Sequence, residues 1–121
     1  MSEATNRTRA AMGESVGVTL NPILPEKREQ FERLITEILT PAAEQHFPRQ
    51  AQSFRFLVPS EPDESGNFTF VFLFDPYFED ADYTLKTLLT TAFGADEAES
   101  YLQQWNECFA GPQVAYLAKQ R

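Results

Sequence analysis

The chain has 121 residues, 42% of them hydrophobic and 13% aromatic, with eleven Phe, one Cys and a formal net charge of −8. That length suits one domain with a respectable core and leaves no room for a second. The charge opposes phosphate backbones and anionic lipid, no apolar run nears the ~18 residues that span a bilayer, and the lone Cys108 excludes an intrachain disulfide and any multi-cysteine metal site. The composition therefore reads as a cytoplasmic protein with neither a nucleic-acid nor a membrane partner.

Residues 1–13 are small, polar and aperiodic and read as a flexible N-terminal tail, leaving 14–121 as a single domain. From Ser15 to Asn21, Val16, Val18 and Leu20 alternate with Gly17, Thr19 and Asn21, which predicts a first strand ending at Pro22. Pro25-Glu26 suits a helix start, and Phe31, Leu34, Ile35, Ile38 and Leu39 follow at helical spacing. Pro41 should kink or restart that helix, with further turns over Ala42 to Phe47 before Pro48. A second strand is predicted from Ala51 to Pro59, with Phe54, Phe56 and Val58 opposite Ser53, Arg55 and Leu57. The turn residues of Glu61 to Gly66 join it as a hairpin to a third strand, Asn67 to Phe74. In that strand Phe68, Phe70, Phe72 and Phe74 share one face while Thr69, Val71 and Leu73 share the other. After Asp75-Pro76, Leu85, Leu88, Leu89, Ala92 and Phe93 mark a helix interrupted at Gly94. Asp96 is the expected cap of a continuation carrying Tyr101, Leu102, Trp105, Cys108 and Phe109, and Gly111-Pro112 stops it before a last strand, Gln113 to Lys119.

The order is βαββαβ, an α+β class with a ferredoxin-like four-stranded antiparallel sheet and helices on one face. A third strand apolar on both sides then needs two covers. The chain's helices supply one, and a second copy of the chain, a ligand or both would supply the other. In this element order and doubly apolar strand, Ser15 to Lys119 resembles the dimeric α/β-barrel superfamily, which includes the antibiotic-biosynthesis monooxygenase-type domains. The resemblance implies a homodimer paired through the sheet face with a pocket in each subunit. Monooxygenases of that superfamily commonly use an Asn on the first strand, a Trp near the end of the third and a His on the following helix. Asn21 matches the first, Tyr77 lies in the region of the second, and the third has no counterpart, since His46 belongs to the end of the first helix.

Bland roles cover most other reactive residue types. His46 suits a helix C-terminus, Trp105 and Cys108 fall on an apolar helical stripe, and Asp75, Glu79, Asp80 and Asp82 read as solvated loop charge with Asp82 as an N-cap, so neither metal nor cofactor is expected. The Phe-rich strand superficially resembles that of an RNA-recognition module, but Ser65 stands where a basic residue is needed and the first strand carries no aromatic. Arg55 stands out among apolar neighbours. With Thr19, Asn21 and Thr69 it is expected to line a ligand cavity at the sheet, the guanidinium holding a carboxylate or enolate oxygen, or else to form an interface salt bridge or snorkel at a sheet edge. Three functions follow as expectations. One is a homodimer that binds a small hydrophobic or aromatic molecule. Another is a cofactor-independent monooxygenase or isomerase for an aromatic or polyketide-like substrate, with Arg55, Asn21 and Tyr77 as the polar groups. The third is a module that only dimerises.

Overall fold

A computed structural model of the chain describes residues 9–121, so the part of the expected tail at 1–8 lies outside the described residues. The rest of that tail is tied to the domain. Ala10 is buried and its N–H donates to the Asp75 carboxylate at 2.6 Å, and the Gly13 N–H donates to the Gln120 carbonyl at 2.8 Å.

The first strand, β1, is Ser15–Ile23, two residues longer than its alternation predicts. Pro22 is tolerated because its carbonyl accepts the Ala110 N–H at 2.9 Å, so its own missing N–H falls on the same side, past the end of the neighbouring strand. A 3-10 turn, Pro25–Lys27, leads into α1, Arg28–Arg33, then a π-helical turn, Leu34–Leu39, and α2, Thr40–His46. Pro41 explains the π turn. In an α-helix its ring would crowd the Glu37 carbonyl and offer it no N–H, whereas the wider turn lets Thr40 donate to Ile35 instead.

The next segment departs from expectation. Pro48–Ser53 is a short helix, α3, and the second strand, β2, is only Phe54–Leu57. Pro48 at the first helical position presets φ, and Arg49, Gln50, Ala51 and Gln52 are good helix formers, so local propensity overrides the apparent alternation. The third strand, β3, is Phe68–Phe74. Helix α4, Leu85–Phe93, and helix α5, Ala95–Glu107, meet at Gly94, whose φ of 86° only glycine adopts freely. Gly94, not Asp96, is the N-cap of α5, with Asp96 in its first turn. The last strand, β4, is Val114–Lys119.

The four strands run β2-β3-β1-β4, each antiparallel to its neighbours, which is the ferredoxin-like α+β order. The register sorts the faces: Gly17, Thr19 and Asn21 of β1 lie opposite Phe74, Phe72 and Phe70 of β3, and Phe54 and Phe56 of β2 join the same side. This side meets the helices. Phe31 of α1 is fully buried, with ring centroids 5.1 Å from Phe70 and 4.9 Å from Trp105, and Ile23, Ile35, Leu89 and Cys108 close the core around it. Each such Phe contributes roughly 1.5–3 kcal/mol by leaving water. The other side of the sheet carries Val16, Val18, Leu20, Val71, Leu73, Arg55 and Thr69, with no helix of the described residues over it. No helix of the described residues is long and apolar enough to cross a membrane.

Candidate ligand cavity

Between the helix-facing side of the sheet and the helices lies a cavity of about 540 Å³. It sits within one chain. The sheet supplies Gly17, Thr19, Phe72 and Phe74 as its floor, and Ile35, Leu39, Thr40 and Ala43 form one wall. The π turn sets that wall: it adds one residue to the helical repeat, so that Ile35, Leu39 and Ala43 still face the sheet while Pro41 turns outward and exposed. Leu85, Leu88 and Trp105 make the opposite wall, and Ala115 and Leu117 of β4 border a side the helices leave uncovered.

The loop 75–84 brings two tyrosines to the rim. Tyr77 and Tyr83 stack with centroids 4.6 Å apart, and Tyr83 meets Phe74 edge-on at 4.8 Å. The Tyr77 N–H donates to the Ser15 carbonyl at 2.8 Å, and Arg49 of α3 holds the loop from outside, bonding Asp80 at 3.0 Å and lying 4.2 Å over the Phe78 ring. Tyr77 reaches the sheet because position 17 has no side chain: a Cβ there would meet the Tyr77 ring at 2.9 Å. The Tyr83 hydroxyl accepts the Phe78 N–H at 2.9 Å. Burial pushes the Tyr83 phenol above its ordinary range, so it stays protonated at neutral pH.

Asn21 is fully buried on the same helix-facing side of the sheet, beyond Thr19, and its amide is spoken for. Its nitrogen donates to the Phe70 carbonyl at 3.1 Å and the Thr19 carbonyl at 3.4 Å, and its oxygen accepts from Gln113 Nε2 at 2.6 Å. Gln113, not Asn21, lines the cavity.

The structure thus divides the residues the sequence grouped. Thr19 and Tyr77 line the cavity, and Asn21 lies beside it and holds Gln113. Arg55 and Thr69 project from the opposite face, because strand neighbours of Thr19 and Asn21 alternate sides and the cross-strand register places Arg55 against Leu73 and Thr69 against Pro22. Arg55 is ion-paired to Asp75 at 2.7 Å, so it cannot hold an oxyanion in this cavity. Sequence reasoning placed Trp105 in the core, where it does pack on Phe31 and Phe109, but it also forms cavity wall. Gln113, Tyr83 and the bare Gly17 were missed. For Gln113 a signal existed, since a polar residue placed across the ladder from a polar residue on the helix-facing side asks for a mutual hydrogen bond.

The loop carboxylates do not converge. Glu79 accepts from the Ser15 hydroxyl and pairs with Lys119 at 3.7 Å, and the Ser15 hydroxyl foremost, with Lys119, holds its carboxyl below the usual range. Asp82 accepts from the Thr84 N–H at 2.8 Å and the Thr87 hydroxyl at 3.1 Å, and the Thr84 hydroxyl foremost, with these two donors, holds its carboxyl below the usual range. Thr84 is the N-cap residue of α4, so Asp82 secures the helix start from two residues outside it rather than capping it as expected. Cys108 is buried and its thiol donates to the Gln104 carbonyl at 3.3 Å, and burial pushes its pKa up.

Among known proteins, no family model and no curated protein matches the chain. Solved structures do. A candidate antibiotic biosynthesis monooxygenase from Caulobacter crescentus CB15 is 14% identical, aligns over 99% of this chain and 97% of its own, and superposes with a TM-score of 0.49. A conserved protein from Methanosarcina mazei Go1 is 14% identical over 91% of this chain and 95% of its own, with a TM-score of 0.46.

Proposed function

We propose that this protein binds a small, largely apolar aromatic molecule in the cavity between its sheet and its helices. The observation that carries this reading is the cavity itself, about 540 Å³ walled by Phe72, Phe74, Trp105, Ile35 and Leu88 with a few polar groups at its edge, the usual composition of a small-molecule site. Flat rings in such walls favour a flat ligand, because edge-to-face and offset-stacked contacts add about 0.5–1.5 kcal/mol each to area burial. The test is titration with the neutral dye Nile red. Wild type should raise and blue-shift the dye emission, and Ala43→Phe, which fills the cavity from α2, should abolish most of that response. An equal response in both proteins would refute the reading.

The same proposal pairs two copies of the chain through the open face of the sheet. Val16, Val18, Leu20, Val71 and Leu73 form a continuous apolar surface there, and Leu57, Val114 and Tyr116 at its margins are 47%, 40% and 59% exposed in the single chain. A patch of that kind supports an interface with an equivalent patch. Sedimentation velocity at micromolar concentration should give a dimer that Val71→Glu converts to monomer. A monomeric wild type would remove this part of the proposal.

A further inference from the structure

We infer that Gln113 is the specificity contact of the cavity, and that it selects a neutral aromatic molecule carrying a hydroxyl or N–H donor over both the bare hydrocarbon and the matching carboxylate. The inference rests on the binding reading above and goes on to name the ligand class.

Its basis is a chain of hydrogen bonds with one self-consistent orientation. The Asn21 amide sits between two backbone carbonyls, which accept and never donate, so its nitrogen must face them and its oxygen must face Gln113. Gln113 in turn must present its NH₂ to that oxygen, at 2.6 Å. Asn21 is fully buried, so the Asn21 end of this part-buried bond is fixed, and it orients the Gln113 head group at the exposed edge of the cavity. What remains of Gln113 is its Oε1 and one N–H, for which the described residues supply no hydrogen-bond partner. A carbonyl oxygen held at the edge of an apolar cavity asks for a donor.

Charge decides the rest. Among the described residues no Lys, Arg or His lines the cavity, and its one ionisable acid, Asp82, adds negative charge to a chain already at −8. A ligand carboxylate would enter without a cation to meet it, next to the Gln113 oxygen and the Phe72 and Phe74 rings. A phenol-type O–H enters neutral and donates to Gln113. Asn21 acts here as a positioning residue and Gln113 as the contact.

Calorimetric titration of the full chain with naphthalene, 2-naphthol and 2-naphthoate tests this. The expected order is 2-naphthol tightest, naphthalene about threefold to tenfold weaker, and 2-naphthoate at least about tenfold weaker than 2-naphthol. Gln113→Met keeps the shape and removes the polar head. It should cancel the 2-naphthol advantage while leaving naphthalene affinity within about twofold. Gln113→Met leaves the buried Asn21 oxygen without its partner, at a cost of about 1–3 kcal/mol, so its fold is checked by circular dichroism before titration, and the wild-type ratio of 2-naphthol to naphthalene stands as a separate test. Naphthalene bound as tightly as 2-naphthol, 2-naphthoate bound tightest, or a 2-naphthol preference that survives Gln113→Met would each overturn the inference and leave the binding reading intact. Failure of all three probes to bind would overturn both.

Discussion

Replacing Gly17 with alanine isolates the contact that seats Tyr77 at the cavity rim. An added Cβ would lie 2.9 Å from Tyr77 Cδ1, 3.5 Å from Tyr77 Cγ and 3.6 Å from Phe74 Cβ. Carbon atoms prefer ~3.5–4.0 Å, so the first contact is about 0.6–1.1 Å too close and the other two are ordinary. Tyr77 cannot simply swing away, because it is stacked on Tyr83 at 4.6 Å and its backbone N–H is bonded to Ser15 across the same strand end. Overpacking of this size costs about 1–3 kcal/mol. Against it, exchanging glycine for alanine at an ordinary φ reduces unfolded-state entropy and gains about 0.4–1 kcal/mol. The net is a destabilisation between about zero and 2.6 kcal/mol, too broad to decide anything alone. The decisive quantity is the coupling. In a Tyr77→Ala background the clash is gone, so Gly17→Ala should be neutral or stabilising, and the double-mutant cycle should return about 1–3 kcal/mol of interaction. Urea denaturation of the four proteins measures it. A coupling below about 0.5 kcal/mol would show that the bare backbone at position 17 is not what admits the ring.

Gly94→Ala should destabilise by about 1–3 kcal/mol, since its φ of 86° and ψ of 169° form a joint between α4 and α5 that side chains strain against, and denaturant unfolding checks it. Asp82→Ala should lower the melting temperature at neutral pH but not in acid. The folded-state carboxyl is lowered, so its contribution is fully present above the unfolded value of about 3.9 and is lost as pH falls through the folded value. A melting-temperature gap of the same size at about pH 7 and about pH 2.5 would show that the carboxylate charge does not hold the start of α4. Cys108 should resist a thiol reagent in the native protein and react in denaturant, because it is buried, hydrogen-bonded to Gln104 and raised in pKa; rapid native labelling would contradict that placement.

The fold was legible in the sequence where periodicity was strong. The alternation of β1 and β3, the helical stripe through Phe31, Ile35 and Leu39, and the Gly94 break between α4 and α5 all carry one pattern per segment. Residues 51–53 misled because Phe54, Phe56 and Val58 alternate, and Ala51 to Ser53, the end of the helix-forming Arg49-Gln50-Ala51-Gln52 run, were read as the start of the strand. The cavity was less legible. Alternation tells that Thr19 and Asn21 share a face and that Arg55 and Thr69 sit on one face of their own strands, but not which face of β1 matches which face of β2 and β3. That depends on cross-strand register, and a slip of one residue exchanges the faces. Nor does a single segment show that Tyr77, Tyr83, Trp105 and Gln113, drawn from a loop, a helix and a strand approach, surround one space.

The central claim is that an apolar molecule occupies the space between sheet and helices. Native mass spectrometry of freshly purified protein, set against the denatured mass of the same sample and repeated after saturation with 2-naphthol, tests it most directly. The account predicts a non-covalent added mass of one ligand per chain that disappears on denaturation and is absent from Ala43→Phe. A wild-type protein that carries no added mass even at saturation, or an Ala43→Phe protein that carries the same mass, would contradict it.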